Sequence, residues 1–154
     1  MFKSIIWPIL ILLTIVLLPR ASRADECQAT AAKLTAAGEV RLDHVSPSGG
    51  TTFFSSPLAQ DVLLICDPVH GADLSVHFDT ASPSSASFEF VRRLAQIVVP
   101  GKARKDVLAA LRTCHSRALT DKNELATVVK SGVHVECQAF TRDNGGSSFS
   151  ISRE

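Results

Sequence analysis

The chain is predicted to fold as an α+β domain: a mostly antiparallel sheet with an N-terminal helix, a central helical pair on one face and a C-terminal β-hairpin. Three observations carry this. Apolar residues alternate in Asp73–Asp79 and again in Val133–Ala139, the period of strands with one face buried. Between them, over residues 88–119, apolar residues recur at three- and four-residue steps, the period of amphipathic helices. The order along the chain is helix, several strands, two or three helices, then a hairpin, which places helices against one side of an antiparallel sheet.

The first helix is read over Cys27–Ala37, an alanine-rich run containing Lys33 and Leu34, with Gly38 placed to be its C′ residue. Glu39–Val45 alternates, with Val40 and Leu42 on one face and Arg41 and Asp43 on the other; His44 falls on the apolar side. Ser46-Pro47-Ser48-Gly49-Gly50 breaks this strand. Thr51–Ser55, with Phe53 and Phe54, is a short strand ended by Pro57. Asp61–Cys66 is apolar on both faces and reads as a central strand. Asp73–Asp79 is amphipathic, with Leu74, Val76 and Phe78 inward and Ser75, His77 and Asp79 outward.

Thr80–Ser87 is a Ser/Pro-rich loop within one domain. A helix then starts at Phe88, with Phe88, Val91, Leu94, Ala95 and Val98 on its buried stripe and Glu89, Arg92, Arg93 and Gln96 opposite, and Pro100-Gly101 stops it. Arg104–Leu119 repeats the pattern with Val107, Leu108, Leu111, Cys114 and Ala118. Asp121–Lys130 reads as a third short helix capped by Asp121, or as a strand on account of its β-branched residues. In the final hairpin a three-residue loop, Asp143-Asn144-Gly145 with Gly145 left-handed, sets Ala139 opposite Phe149 and Cys137 opposite Ile151. This puts the apolar residues on one face and leaves Phe140 exposed. The two-residue alternative would pair Phe140 with Phe149 and turn Phe149 and Ile151 away from the valines.

Ile5–Leu18 is apolar apart from Pro8 and Thr14, follows Lys3, and is succeeded by Pro19–Ala24 with small residues at Ser22 and Ala24. That pattern is a secretory leader, cleaved after Ala24, with residues 25–154 as a single exported domain. Fourteen residues fall short of the ~17–25 that span a bilayer. No stable membrane insertion is expected once the leader is gone, and a bacterial periplasmic or extracellular location fits. Loss of Lys3, Arg20 and Arg23 leaves thirteen basic against fifteen acidic residues, so a formal +1 becomes −2. That balance argues against nucleic acid as a partner. The four cysteines all lie beyond the leader, without a CxxC pair, and read as two disulfides in an oxidising compartment. Cys114 on a buried helical stripe can face Cys137 on the buried side of the hairpin, which leaves Cys27 for Cys66.

The residues offer three chemistries. Cys66, Asp67, His70, Asp73, His77 and Asp79 gather metal-ligand types, but at no recognised ligand spacing, and Asp-Pro and Gly-Ala-Asp are turn sequences. A metal-binding protein is therefore the lesser alternative, and no cofactor is expected. His77, Asp79, His134 and Glu136 could serve a small secreted hydrolase. Gly-x-Ser-x-Gly, HExxH, Walker and dinucleotide fingerprints are all missing, so the enzyme remains the alternative reading. Arg92, Arg93, Lys102, Arg104, Lys105, Arg112 and Arg117 concentrate positive charge on the helical pair, where an acidic protein or another anionic partner could dock. Together these point to a small exported binding or protein-interaction module.

Overall fold

A computed structural model describes residues 23–142 and 145–154. The proposed leader through Ser22, and Asp143 and Asn144 of the hairpin turn, lie outside the described residues. The chain is α+β. Helix α1 (Arg23–Ala36) precedes four strands, β1 (Arg41–Val45), β2 (Thr51–Ser56), β3 (Ala59–Asp67) and β4 (Gly71–Phe78). The pair α2 (Ser85–Val98) and α3 (Arg104–Thr120) follows, then β5 (Leu125–Lys130), β6 (Val133–Phe140) and β7 (Gly146–Arg153). The strands form one antiparallel sheet in the order β1-β2-β3-β4-β7-β6-β5. The helical pair carries the chain from the centre of the sheet to its far edge, from which β5–β7 meander back to β4.

One face of the sheet is covered and the other is open. Helix α2 lies against β4 and β7, α3 against β5 and β6, and α1 against β3, β4 and α2. The core between the layers holds Val62, Leu64, Leu74, Val76, Phe149, Ile151, Val133 and Val135 from the sheet, with Leu34, Phe90, Leu94 and Leu111 from the helices. Phe149 stands at its centre, edge-on to Phe78 and Phe88. His115 is buried beside it, stacked on Phe149, with Nε2 2.9 Å from the carbonyl of Ala81. That bond ties the β4–α2 loop to α3.

Cys27 is bridged to Cys66 and Cys114 to Cys137, with Cα separations of 5.9 and 5.8 Å. The first bridge fastens α1 to the end of β3, and the second fastens α3 to β6.

Helix boundaries follow local chemistry. α1 ends where Gly38 takes φ 75°, which a residue with a Cβ adopts only at a cost. α2 begins at Ser85, three residues before the position at which the apolar periodicity starts, because Ser84 caps it: its Oγ accepts from the Ser87 N–H at 3.1 Å.

Several sequence expectations are corrected. Residues 121–130 do not make a third helix. Asp121 closes α3, its N–H donating to the Arg117 carbonyl, and its carboxylate accepts from the Asn123 N–H at 2.8 Å. Glu124 then takes φ 58° and the β-branched run enters β5. In the last hairpin Cys137 faces Phe149, Val135 faces Ile151 and Ala139 faces Ser147, a shift of two residues from the expected pairing. A two-residue slip preserves the face of every side chain, so burial alone does not choose between the two. Contacts at the loop select it: Glu124 accepts from both the N–H and the hydroxyl of Thr141, and the Ser147 hydroxyl donates to the Thr80 carbonyl. Gly145 is left-handed at φ 78° and Phe140 is exposed, as expected.

The strand expected to be apolar on both faces is covered on one. Val62 and Leu64 are buried, whereas Leu63 is half-buried and Ile65 exposed on the open side. In β1 the register shifts between Leu42 and His44. This bulge leaves Leu42 beside Phe54 on the helix side and moves His44 to the open face, where it stacks on Phe53. Arg92, expected in solvent, is buried. The cause is the position of α2 between α1 and α3, which covers a wide arc of its surface, including Phe90.

Candidate functional site

Helices α2 and α3 cover the sheet from β4 to β5, and α1 lies against β3 and β4; Thr52 and Phe54 of β2 are still buried on the helix side, and that face opens at the edge strand β1. Leu42 and Val45, which pair with Phe54 and Thr52 on that face, are 54% and 50% exposed. Between them and α1 lies a groove of about 600 Å³. Gln28, Ala31, Ala32 and Thr35 line it from α1, Leu42 and Val45 from β1, and Thr52 from β2; the Ser48–Gly50 turn and Asp67-Pro68 complete it. The Cys27–Cys66 bridge is part of the lining and sets the spacing of helix and sheet. On the α1 side the wall includes the small side chains of Ala31 and Ala32.

The groove's chemistry is simple. Its lining is mainly aliphatic, and among the described residues includes no aromatic ring and no cationic side chain and has one ionisable group, Asp67. The Asp67 carboxylate accepts from the backbone N–H groups of His70 and Val69 at 2.7 and 2.6 Å, which hold it below its ordinary pKa. It is therefore ionised across the neutral range. Such a surface suits an aliphatic group whose polar end is neutral or cationic, since an anionic end would meet Asp67 with no counter-charge among the lining residues.

The residues of the hydrolase alternative are not brought together. His134 and Glu136 border a shallow concavity of about 440 Å³ on the open sheet face with His70, Asp73, Ser150 and Ser152, while His77 and Asp79 are not part of it. Within it the Ser150 hydroxyl donates to the Asp73 carboxylate at 2.7 and 2.8 Å, and His134 stands 3.9 Å from Glu136. His77 instead meets the Ser75 hydroxyl at 3.0 Å. For the metal alternative, Cys66 is consumed by its disulfide, and no group of three or more His, Cys, Asp or Glu among the described residues could hold an ion.

The cluster of basic residues divides in two. Glu89 accepts from Arg92 at 2.7 Å and from Arg104 at 3.0 Å, and its pKa is lowered, first by the Arg92 hydrogen bond. Arg92 also reaches Gln96. Arg93 reaches across to Glu39 beyond the end of α1, at 3.0 Å for its second contact, and Lys102 extends over the β5–β6 turn at Gly132. Lys105, Arg112 and Arg117 stay exposed on α3 with no ion pair among the described residues; the Arg112 guanidinium stands 6.0 Å above the Phe88 ring.

The groove leaves little mark in the sequence. Its one sequence trace is the alanine content of residues 27–37, which also reads simply as helix propensity. Among the described residues no helix is long and apolar enough to cross a membrane. Compared with protein-family models, with curated proteins and with solved structures, the chain matches none of them.

Proposed function

We propose that the mature domain is an exported binding module and that the groove between α1 and the β1–β2 hairpin is its site. The observation that carries this is a preformed aliphatic concavity of about 600 Å³ held open by a disulfide. The volume lies within the ~300–1,000 Å³ of small-molecule sites. Its occupant is an alkyl chain or aliphatic side chain ending in a neutral or cationic group. Export is supported by the leader-like N-terminal pattern and by two disulfides. Cleavage after Ala24 would leave Asp25 and Glu26 in the first turn of α1, where their charge favours the helix dipole. Mass spectrometry of the exported protein tests this: Asp25 at its start supports the reading and Met1 overturns it.

Calorimetry on the mature protein with decylamine, decanol and decanoate tests the site. The amine and alcohol should bind more tightly than the acid, and Ala32→Trp, which fills the groove from an exposed helix position, should weaken both by about ten-fold or more. Equal binding to the Ala32→Trp variant, or no binding of any of the three, would refute the assignment. An anionic partner, if one docks, would use Lys105, Arg112 and Arg117 with the exposed Arg104, because Arg92 and Arg93 are paired with Glu89 and Glu39 within the fold and the single charge of Glu89 cannot also neutralise Arg104.

A further inference from the structure

The two edges of the sheet are built differently. At one, β1 is interrupted by a bulge and carries Arg41 and Asp43, features that discourage strand addition. At the other, β5 (Leu-Ala-Thr-Val-Val-Lys) pairs with β6 in unbroken register from Leu125 to Lys130, with no proline, no bulge and a single charge at its end. No strand among the described residues pairs with its outer side.

The direction of its free backbone groups can be worked out. Lys130 and Val133 flank a two-residue turn, Ser131-Gly132, with φ 53° and 72°, the type I′ geometry in which the flanking pair exchanges both hydrogen bonds. At the other end the Ala139 N–H donates to the Glu124 carbonyl at 3.0 Å. Antiparallel ladders alternate, so Glu124, Ala126, Val128 and Lys130 direct their N–H and C=O groups at β6. Those of Leu125, Thr127 and Val129 point to the open edge. The side chains of Leu125 and Val129 are also 45% and 49% exposed, on the uncovered face.

We propose that β5 is a self-association edge, joining two copies of this domain across a two-fold axis at Thr127 into one continuous sheet. In that register Thr127 meets Thr127 of the second copy, Leu125 meets Val129, and Glu124 meets Lys130. Each residue with outward backbone groups thus faces another such residue, giving about six intersubunit hydrogen bonds. The exposed apolar side chains become cross-strand pairs. A register centred on Val128 would instead set Leu125 against Ser131 of the turn, losing both Leu125–Val129 pairs. A six-residue edge buries less than the ~1,000 Å² of a tight dimer, so the association is concentration-dependent.

Sedimentation of the oxidised mature protein from about 1 μM to 1 mM should show its mass doubling, a range set by the small contact. Thr127→Lys sets two like charges on the axis at a position exposed in the single chain, and should weaken the dimer by about ten-fold or more while leaving the unfolding midpoint of dilute protein unchanged. Thr127→Val should preserve it. Thr127→Cys should give an intermolecular disulfide under mild oxidation and Val129→Cys should not, since only residue 127 meets itself. A monomer at 1 mM, a dimer indifferent to Thr127→Lys, or equal cross-linking at both positions would overturn the proposal.

Discussion

Replacing both Cys27 and Cys66 by serine would test how the groove is held. The bridge joins residues 39 apart in sequence. Loop-closure entropy for a ring of that size corresponds to about 4 kcal/mol of stabilisation at 25 °C. Against a total of ~5–15 kcal/mol for an ordinary domain that is a large share. At roughly 3–4 °C per kcal/mol it should lower Tm by ~10–15 °C. The structure adds a location for the loss. Apart from Cys27, residues 25–36 of α1 bury only Thr30 and Leu34, so without the bridge this part of the helix is held mainly by one leucine, worth ~1.5–3 kcal/mol of burial. The double variant should therefore show an unfolding free energy, from urea titration, reduced by about 4 kcal/mol and early amide exchange confined to residues 25–36. Alkyl-chain binding should fall with it. A loss under ~1 kcal/mol, or α1 amides as protected as those of α3, would refute the view that this disulfide latches the helix.

Other outcomes follow from particular contacts. A tryptic map of the unreduced protein should recover Cys27 with Cys66 and Cys114 with Cys137, and a peptide joining Cys27 to Cys114 would contradict the fold. Phe149→Ala should cost ~3–5 kcal/mol by chemical denaturation, because Phe149 is fully buried between Phe78, Phe88 and His115. Ser84→Ala should cost about 1 kcal/mol, through loss of the cap at 3.1 Å to the Ser87 N–H. Acid should destabilise the domain in a defined window. Glu124, held down first by the Thr141 N–H, and Glu89, held down by Arg92, both have folded pKa values below the ordinary glutamate value. Their contribution is complete above about pH 4.3 and disappears as pH falls through the depressed folded values. Urea midpoints measured from pH 6 to 2.5 should fall over that lower range, and less steeply in Glu124→Gln.

Legibility differed by element, for physical reasons. Strand β4 and the inward face of β6 were readable because alternation reports one buried face, and both do have one buried face. α3 was readable for the same reason at the helical period. Arg92 was not, because its burial comes from neighbours on both sides of α2, which no periodicity within the helix encodes. Residues 121–130 were ambiguous because capping and β-propensity point opposite ways there; the bonds of Asp121 to the end of α3 resolve it. His44 was assigned to the wrong face because a bulge changes parity without changing the apolar pattern.

The candidate site was almost invisible in advance. Its lining comes from α1, β1, β2 and the end of β3, and no two of these contributions make a motif. Of the groups that stand out in sequence, His134 and Glu136 border one shallow concavity and His77 and Asp79 lie outside it.

By itself the sequence determined the fold class, most element positions and which residues of β4, β6 and α3 face inward, because hydrophobic period and turn chemistry are local properties of a chain. Tertiary structure alone decided the hairpin register, the burial of Arg92, the pairing of basic residues with Glu39 and Glu89, and the groove beside α1. Each depends on which elements lie beside one another in space. A cavity above all is defined by what does not cover it, and here that is the space between an alanine-rich helix and an exposed edge strand.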